Sequence, residues 1–171
     1  MKIFFIVLFV GLACLQTKAA GLPEETGAAL RKYSIYFDSV VNNYYAGGFV
    51  GNGLSGAMVY KEKGDTLCWE LGRSDVADHR DGDVLYFKCR LPVGKLRLPL
   101  GGQKSDMLIN LEKAEVSGKS GGVNWKCYMP ASRQVLIIEW EGQGQLPEMG
   151  FVPGIAQSPR LAFKGSLYKV P

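Results

Sequence analysis

The 171-residue sequence predicts an all-β domain, built as an antiparallel sandwich or barrel. Beyond the first thirty or so positions, apolar residues alternate with a period of two, the repeat of a half-buried strand. These runs are short and recur about every ten residues, with turn residues between them. Helical periodicity is nearly absent. The composition, 47% hydrophobic and 21% charged, is that of a folded globular chain.

Taken in order, Met1 and Lys2 precede an unbroken apolar run from Ile3 to Leu15. Its 13 residues fall short of the ~20 that a membrane-crossing helix needs. Thr17 and Ala19 put small residues at the −3 and −1 positions of a cleavage site before Ala20. These features predict a secretory signal peptide over 1–19 and export to the periplasm or beyond, with 20–171 as the folding portion. Within "GLAC", Cys14 has two readings: an apolar residue of the signal core, or a lipidated cysteine that anchors the chain to a membrane. Gly11 stands where a lipidation signal usually carries a bulky aliphatic residue.

Losing 1–19 removes Lys2 and Lys18 and leaves 18 basic against 16 acidic residues, a net charge of +2 instead of +4. The remaining cations are interspersed with acids and form no basic stripe, which argues against a nucleic-acid partner. Cys68, Cys89 and Cys127 are odd in number, irregularly spaced and without a C-x-x-C, so neither a disulfide framework nor a zinc site is expected. They read as small apolar residues packed in strands, and an oxidising compartment leaves one bridge open.

"EETGAALRK" (24–32) has material for one or two helical turns. "AMVYK" and "TLCWEL" flank the turn "EKGD" and predict a β-hairpin. In "GKLRLPL", Leu96, Leu98 and Leu100 alternate with Lys95, Arg97 and Pro99. "MLINLE" alternates Met107, Ile109 and Leu111, and "VNWKCYM", after the turn "GKSGG", puts Val123, Trp125 and Cys127 on one face. "QVLIIEW" (134–140) is almost continuously apolar and predicts a strand buried on both faces. The tail from Phe151 stays apolar and aromatic to Pro171, as expected of a sandwich incomplete at its C-terminal end. Neither an internal repeat nor an interdomain linker interrupts the pattern, and 152 residues suffice for one domain with a sizeable core.

The chemistry concentrates in "FVGNGLSGAMVYKEKGDTLCWELGRSDVADHR" (49–80). Gly51, Gly53 and Gly56 satisfy G-x-G-x-x-G, but that fingerprint binds a dinucleotide only when a strand feeds the loop and a helix leaves it. A hairpin follows here, so the glycines predict a tight loop entering a strand. "GLSGA" misses the nucleophile elbow at Ala57, and His79, the chain's one histidine, is the only imidazole a serine triad could use. Glu70, Asp75, Asp78, Asp81 and Asp83 could furnish the two carboxylates of glycoside hydrolysis. Their spacing fails the calcium-loop pattern, and one histidine among aspartates is a poor metal site, so no metal or cofactor is expected. The bland reading of this cluster is a polar loop in which aspartates make turns and Arg73 or Arg80 pairs with them.

"GNGLSGAMVY", "LCWELGRSDVADHR", "RLPVGKLRL" and "NWKCYMPASRQVLIIEWEG" resemble the N-terminal domain of glycoside hydrolase family 95, the α-L-fucosidase-type enzymes, and of related secreted bacterial proteins. The likeness covers most of 35–160, and the "WELGRSDVADHR" stretch departs from the fucosidase pattern, which leaves the sugar open. The resemblance implies an antiparallel super-sandwich packed in cis on a helical barrel that carries the catalytic acid and base. No catalytic residue of the family therefore maps onto this chain. It implies a supporting role: Asn52, Trp69, Glu70, Asp75, Asp78, His79 and Arg80 at the rim of a glycan-binding cleft, with Gly51, Gly53 and Gly56 shaping the loop beneath. The other reading is a self-contained secreted β-sandwich that binds carbohydrate or another surface.

Overall fold

The computed structural model describes residues 23–77, 90–142 and 148–154. One α-helix, a single turn of 3-10 helix (Tyr44–Ala46) and ten strands build it. Helix α1 (Glu24–Lys32) has Glu24 and Glu25 in its first turn and Arg31 and Lys32 in its last, each suited to the helix dipole. Arg31 ties it to the body through Glu112.

The strands are β1 (Ile35–Phe37), β2 (Gly48–Gly51), β3 (Ser55–Glu62), β4 (Thr66–Ala77), β5 (Arg90–Pro99), β6 (Met107–Asn110), β7 (Glu115–Ser120), β8 (Val123–Tyr128), β9 (Ile137–Glu141) and β10 (Gly150–Pro153). They form two five-stranded antiparallel sheets, ordered β10-β5-β4-β3-β2 and β1-β6-β7-β8-β9. Each sheet is a four-strand meander plus one strand taken from the far end of the described chain. β1 precedes the first meander yet joins the second, and β10 follows the second yet joins the first. The two layers are thereby tied together at both ends.

The predicted hairpin at "EKGD" is β3–β4, turning through Gly64 and Asp65, which both have positive φ. Period-two alternation sends Ala57, Val59, Leu67, Trp69 and Leu98 inward from the first sheet, to meet Met107, Val116, Trp125 and Cys127 from the second. Trp69 and Trp125 meet edge to face at the centre, with ring centroids 6.1 Å apart and planes at 86°. That is the favoured quadrupole geometry for an aromatic pair. The Trp125 indole nitrogen donates to Ser105 Oγ at 3.1 Å, satisfying a buried donor.

Two expectations need correction. "QVLIIEW" is not a strand buried on both faces: β9 is the outer strand of its sheet and pairs only with β8. Leu136, Ile138 and Trp140 pack on the core, whereas Glu139 and Glu141 are exposed. The stretch after Trp69 is also not a loop as far as Ala77, because Glu70 to Ala77 continue β4. Apolar alternation ends in this stretch because Arg73 and Asp75 stand at the alternate positions that follow Trp69 and Leu71. Asp78, His79, Arg80, Asp81, Asp83 and Cys89 lie outside the described residues, as do the expected signal peptide, Cys14 and the tail from 155.

Candidate functional site

The outer face of the β10-β5-β4-β3-β2 sheet carries a groove of about 540 Å³. Its floor follows from strand register. Gly51 pairs with Gly56, Gly56 with Gly72, and Gly72 with Pro92, so one row across four strands has almost no side chain. The pairing of β4 with β5 shifts on both sides of Gly72, which breaks the regular surface there. Phe49 lies over the first half of the row. A methyl group at Gly51 or Gly56 would sit 2.8 Å from its ring, so the ring keeps this position only over glycine and would have to move away from a larger residue. At Gly72 the space above the backbone is open, with nothing within 4 Å. The groove thus has an aromatic wall at Phe49, which is 62% exposed, and an opposite wall of Arg90, Leu91 and Pro92. Met58 and Glu70 stand in the next outward row, with Arg73 and Ser55 at the other end.

Glu70 is held by a cluster of charges on the same face. Its Oε2 accepts from the Tyr60 hydroxyl at 2.8 Å and pairs with Lys95 Nζ at 3.0 Å. Lys95 also donates to Tyr60 OH at 2.9 Å and to Glu62 Oε1 at 3.0 Å, and Arg97 Nε pairs with Glu62 Oε2 at 2.6 Å. Two acids thus meet two bases. Burial alone would raise the Glu62 carboxyl, but the bonds from Arg97 and Lys95 outweigh it and hold that group below its usual range. Burial would likewise lower the Lys95 amine, and the bonds to Tyr60, Glu62 and Glu70 raise it instead. Burial pushes the Tyr60 hydroxyl up. Cys68, buried beneath the cluster, has its thiol pushed up to about 11 by desolvation.

The residues expected at a cleft rim separate clearly in space. Gly51, Gly53, Gly56 and Glu70 line the groove. Asn52 does not offer its amide to a ligand. Its Nδ2 donates to the carbonyls of Pro130 (3.2 Å) and Arg133 (2.8 Å), and its Oδ1 accepts from the amides of Leu54 (3.3 Å) and Ser55 (2.9 Å). Both donors and the acceptor are committed, so Asn52 clamps the β2–β3 turn to the β8–β9 connection. Ser55 joins this clamp by donating to Gln134 Oε1 at 2.7 Å. Trp69 is fully buried, which removes its ring from any sugar. Asp75 receives a two-pronged contact from Arg73, Nε to Oδ1 at 2.9 Å and Nη2 to Oδ2 at 2.7 Å. That bond holds its carboxyl below the usual range.

Glu70 pairs with a cation on the neighbouring strand, Lys95, and Asp75 with one on its own strand, Arg73. The Gly51–Gly56 turn leads into β3, a strand, as expected, so the dinucleotide geometry does not arise. Among the described residues no three His, Cys, Asp or Glu side chains are grouped to hold a metal, and no helix is long and apolar enough to cross a membrane. Sequence reasoning missed Phe49, Met58, Tyr60, Arg90, Pro92 and Lys95. One signal was present: Gly56 and Gly72 are each eight residues from Gly64, so a hairpin centred on Gly64 must set them side by side. A second groove, of about 410 Å³, lies on the outer face of the other sheet among Tyr36, Asp106, Lys126 and Glu139. It contains none of the residues expected at a site.

Comparison with protein-family models finds no match for this chain, and comparison with curated protein sequences finds none either.

Proposed function

We propose that this chain is a non-catalytic, glycan-contacting β-sandwich of an exported glycoside-hydrolase-type protein, and that the groove over Gly72 is its sugar-contacting surface. A pyranose has an apolar face and a rim of hydroxyls. The groove matches that chemistry with an exposed aromatic ring at Phe49, the thioether of Met58, and the charged hydrogen-bonding groups of Glu70, Arg73 and Arg90. The observation that carries the reading is the glycine row, which lets a flat ring approach the sheet backbone beside Phe49. Catalysis would come from a helical barrel in cis, in line with the family resemblance of 35–160. The polar groups of the groove lie on a single sheet face, and this also suits the second reading, a binding module that works without a barrel.

Isothermal titration of the purified chain with α-L-fucosyl and α-galactosyl oligosaccharides tests the reading. Binding is expected to fall at least tenfold in Phe49→Ala, the loss typical of a stacked aromatic anchor. Aryl α-L-fucosides are expected to remain unhydrolysed by this chain alone. Turnover abolished by Asp75→Ala or Glu70→Ala would instead make the chain a catalyst and overturn the proposal.

A further inference from the structure

We infer that Glu70 is the specificity-determining acceptor of the groove, and that it selects a neutral, hydroxyl-bearing ring through one oxygen while Lys95 and Tyr60 hold the other. The inference rests on the glycan reading of the groove and adds to it the atom that does the selecting.

The two oxygens of Glu70 are not equivalent. Oε2 is engaged twice, by Tyr60 OH at 2.8 Å and by Lys95 Nζ at 3.0 Å. No described residue hydrogen-bonds Oε1, and Glu70 lines the groove one outward row from the open floor at Gly72. A carboxylate tethered at one oxygen has lost most of its rotational freedom, so its remaining lone pairs present a fixed acceptor at little entropic cost on binding. Lys95 spends its three donors on Tyr60, Glu62 and Glu70, which leaves it none for a ligand. Its role is that of a positioning residue.

Charge decides the ligand class. Glu62 and Glu70 are matched by Lys95 and Arg97, and Asp75 by Arg73, so these six groups balance around Glu70, and the lining cation outside this balance, Arg90, stands on the opposite wall. An acidic sugar would bring a third carboxylate against Glu70. A neutral sugar brings O–H donors, which a carboxylate oxygen accepts strongly.

The test uses the full chain and four probes: methyl α-L-fucopyranoside, methyl α-D-galactopyranoside, a set of monodeoxy analogues of each, and methyl α-D-galactopyranosiduronate. Affinities are read by NMR titration, with the amide spectrum of each variant confirming its fold. Glu70→Gln keeps the shape and the tether but removes the charge, and is expected to weaken the better neutral glycoside about tenfold or more. The deoxy analogue that loses the same factor on the parent chain is expected to lose nothing further on Glu70→Gln, as a double-mutant cycle requires for a direct contact. Lys95→Met is expected to weaken binding as well, and Lys95→Arg to restore part of it. If the parent binds a glycoside and Glu70→Gln binds it equally, this inference fails while the glycan reading of the groove survives. If the uronate binds more tightly than the galactoside, the neutral selection is wrong. If the parent binds none of the probes, the glycan reading itself falls and this inference with it.

Discussion

Asn52 shows how one side chain can look like a ligand group and be a structural clamp. Its amide links the tip of the β2–β3 turn to the Pro130 and Arg133 carbonyls of the other sheet's connection. Nothing local in "GNGLSG" announces those partners, which lie 78 and 81 residues away, so the sequence showed the amide and not its use. Asn52→Ala is expected to cost about 2–3 kcal/mol in urea unfolding, since two turn amides and two carbonyls lose their partner together. Trp69 was ambiguous for the same reason: a tryptophan flanked by Cys68 and Glu70 fits either face of a strand until the strand's register is known. The cysteines were more legible. Cys68 and Cys127 are free and fully buried in strands, with thiols pushed by burial to about 11 and about 12. With Cys14 and Cys89 replaced by serine, a disulfide exchange reagent at pH near 8 is expected to label neither thiol in the native chain and both in urea.

At the scale of elements, alternation predicted the hairpin β3–β4 and the inward faces of β5, β6 and β8, because those strands have one dry and one wet side. It misjudged β9, where position at the sheet's edge, a matter of long-range order, decides burial. It also stopped β4 too early, because in the strand's far half Arg73 and Asp75 stand at the alternate positions where an apolar face would continue. The charge cluster that spans β3, β4 and β5 has a pH signature. Glu62 has its folded value below the ordinary 4.5, so its contribution to stability is full above that value and is lost as pH falls through the folded one. Lys95 has its folded value above the ordinary 10.5, so its contribution is full below 10.5 and is lost only as pH rises past the folded value. The cluster therefore contributes constant stability across neutral pH and weakens on the acid side. Urea midpoints are expected to fall below pH 4.5, and Glu62→Gln to flatten that slope while lowering stability at pH 7.

For the whole molecule, the fold is carried by the face-to-face core around Trp69 and Trp125, and by the two strands exchanged between meanders. Trp125→Phe is expected to cost about 2–4 kcal/mol, because it shrinks a fully packed ring and strips buried Ser105 of its donor. The rigid core leaves the outer face of the first sheet free to be shaped by other demands, and the glycine row, costly in a strand interior, lies there. That row is the centre of the account, and Gly72 probes it most directly. A Cβ at this position meets nothing within 4 Å, so Gly72→Val starts its side chain in open space over the groove floor. The decisive measurement is the glycan affinity of Gly72→Val beside its urea midpoint. The expected result is an unchanged or slightly raised midpoint with glycan binding reduced at least tenfold. Undiminished binding in a folded Gly72→Val would contradict it and move the glycan-contacting surface elsewhere on the molecule.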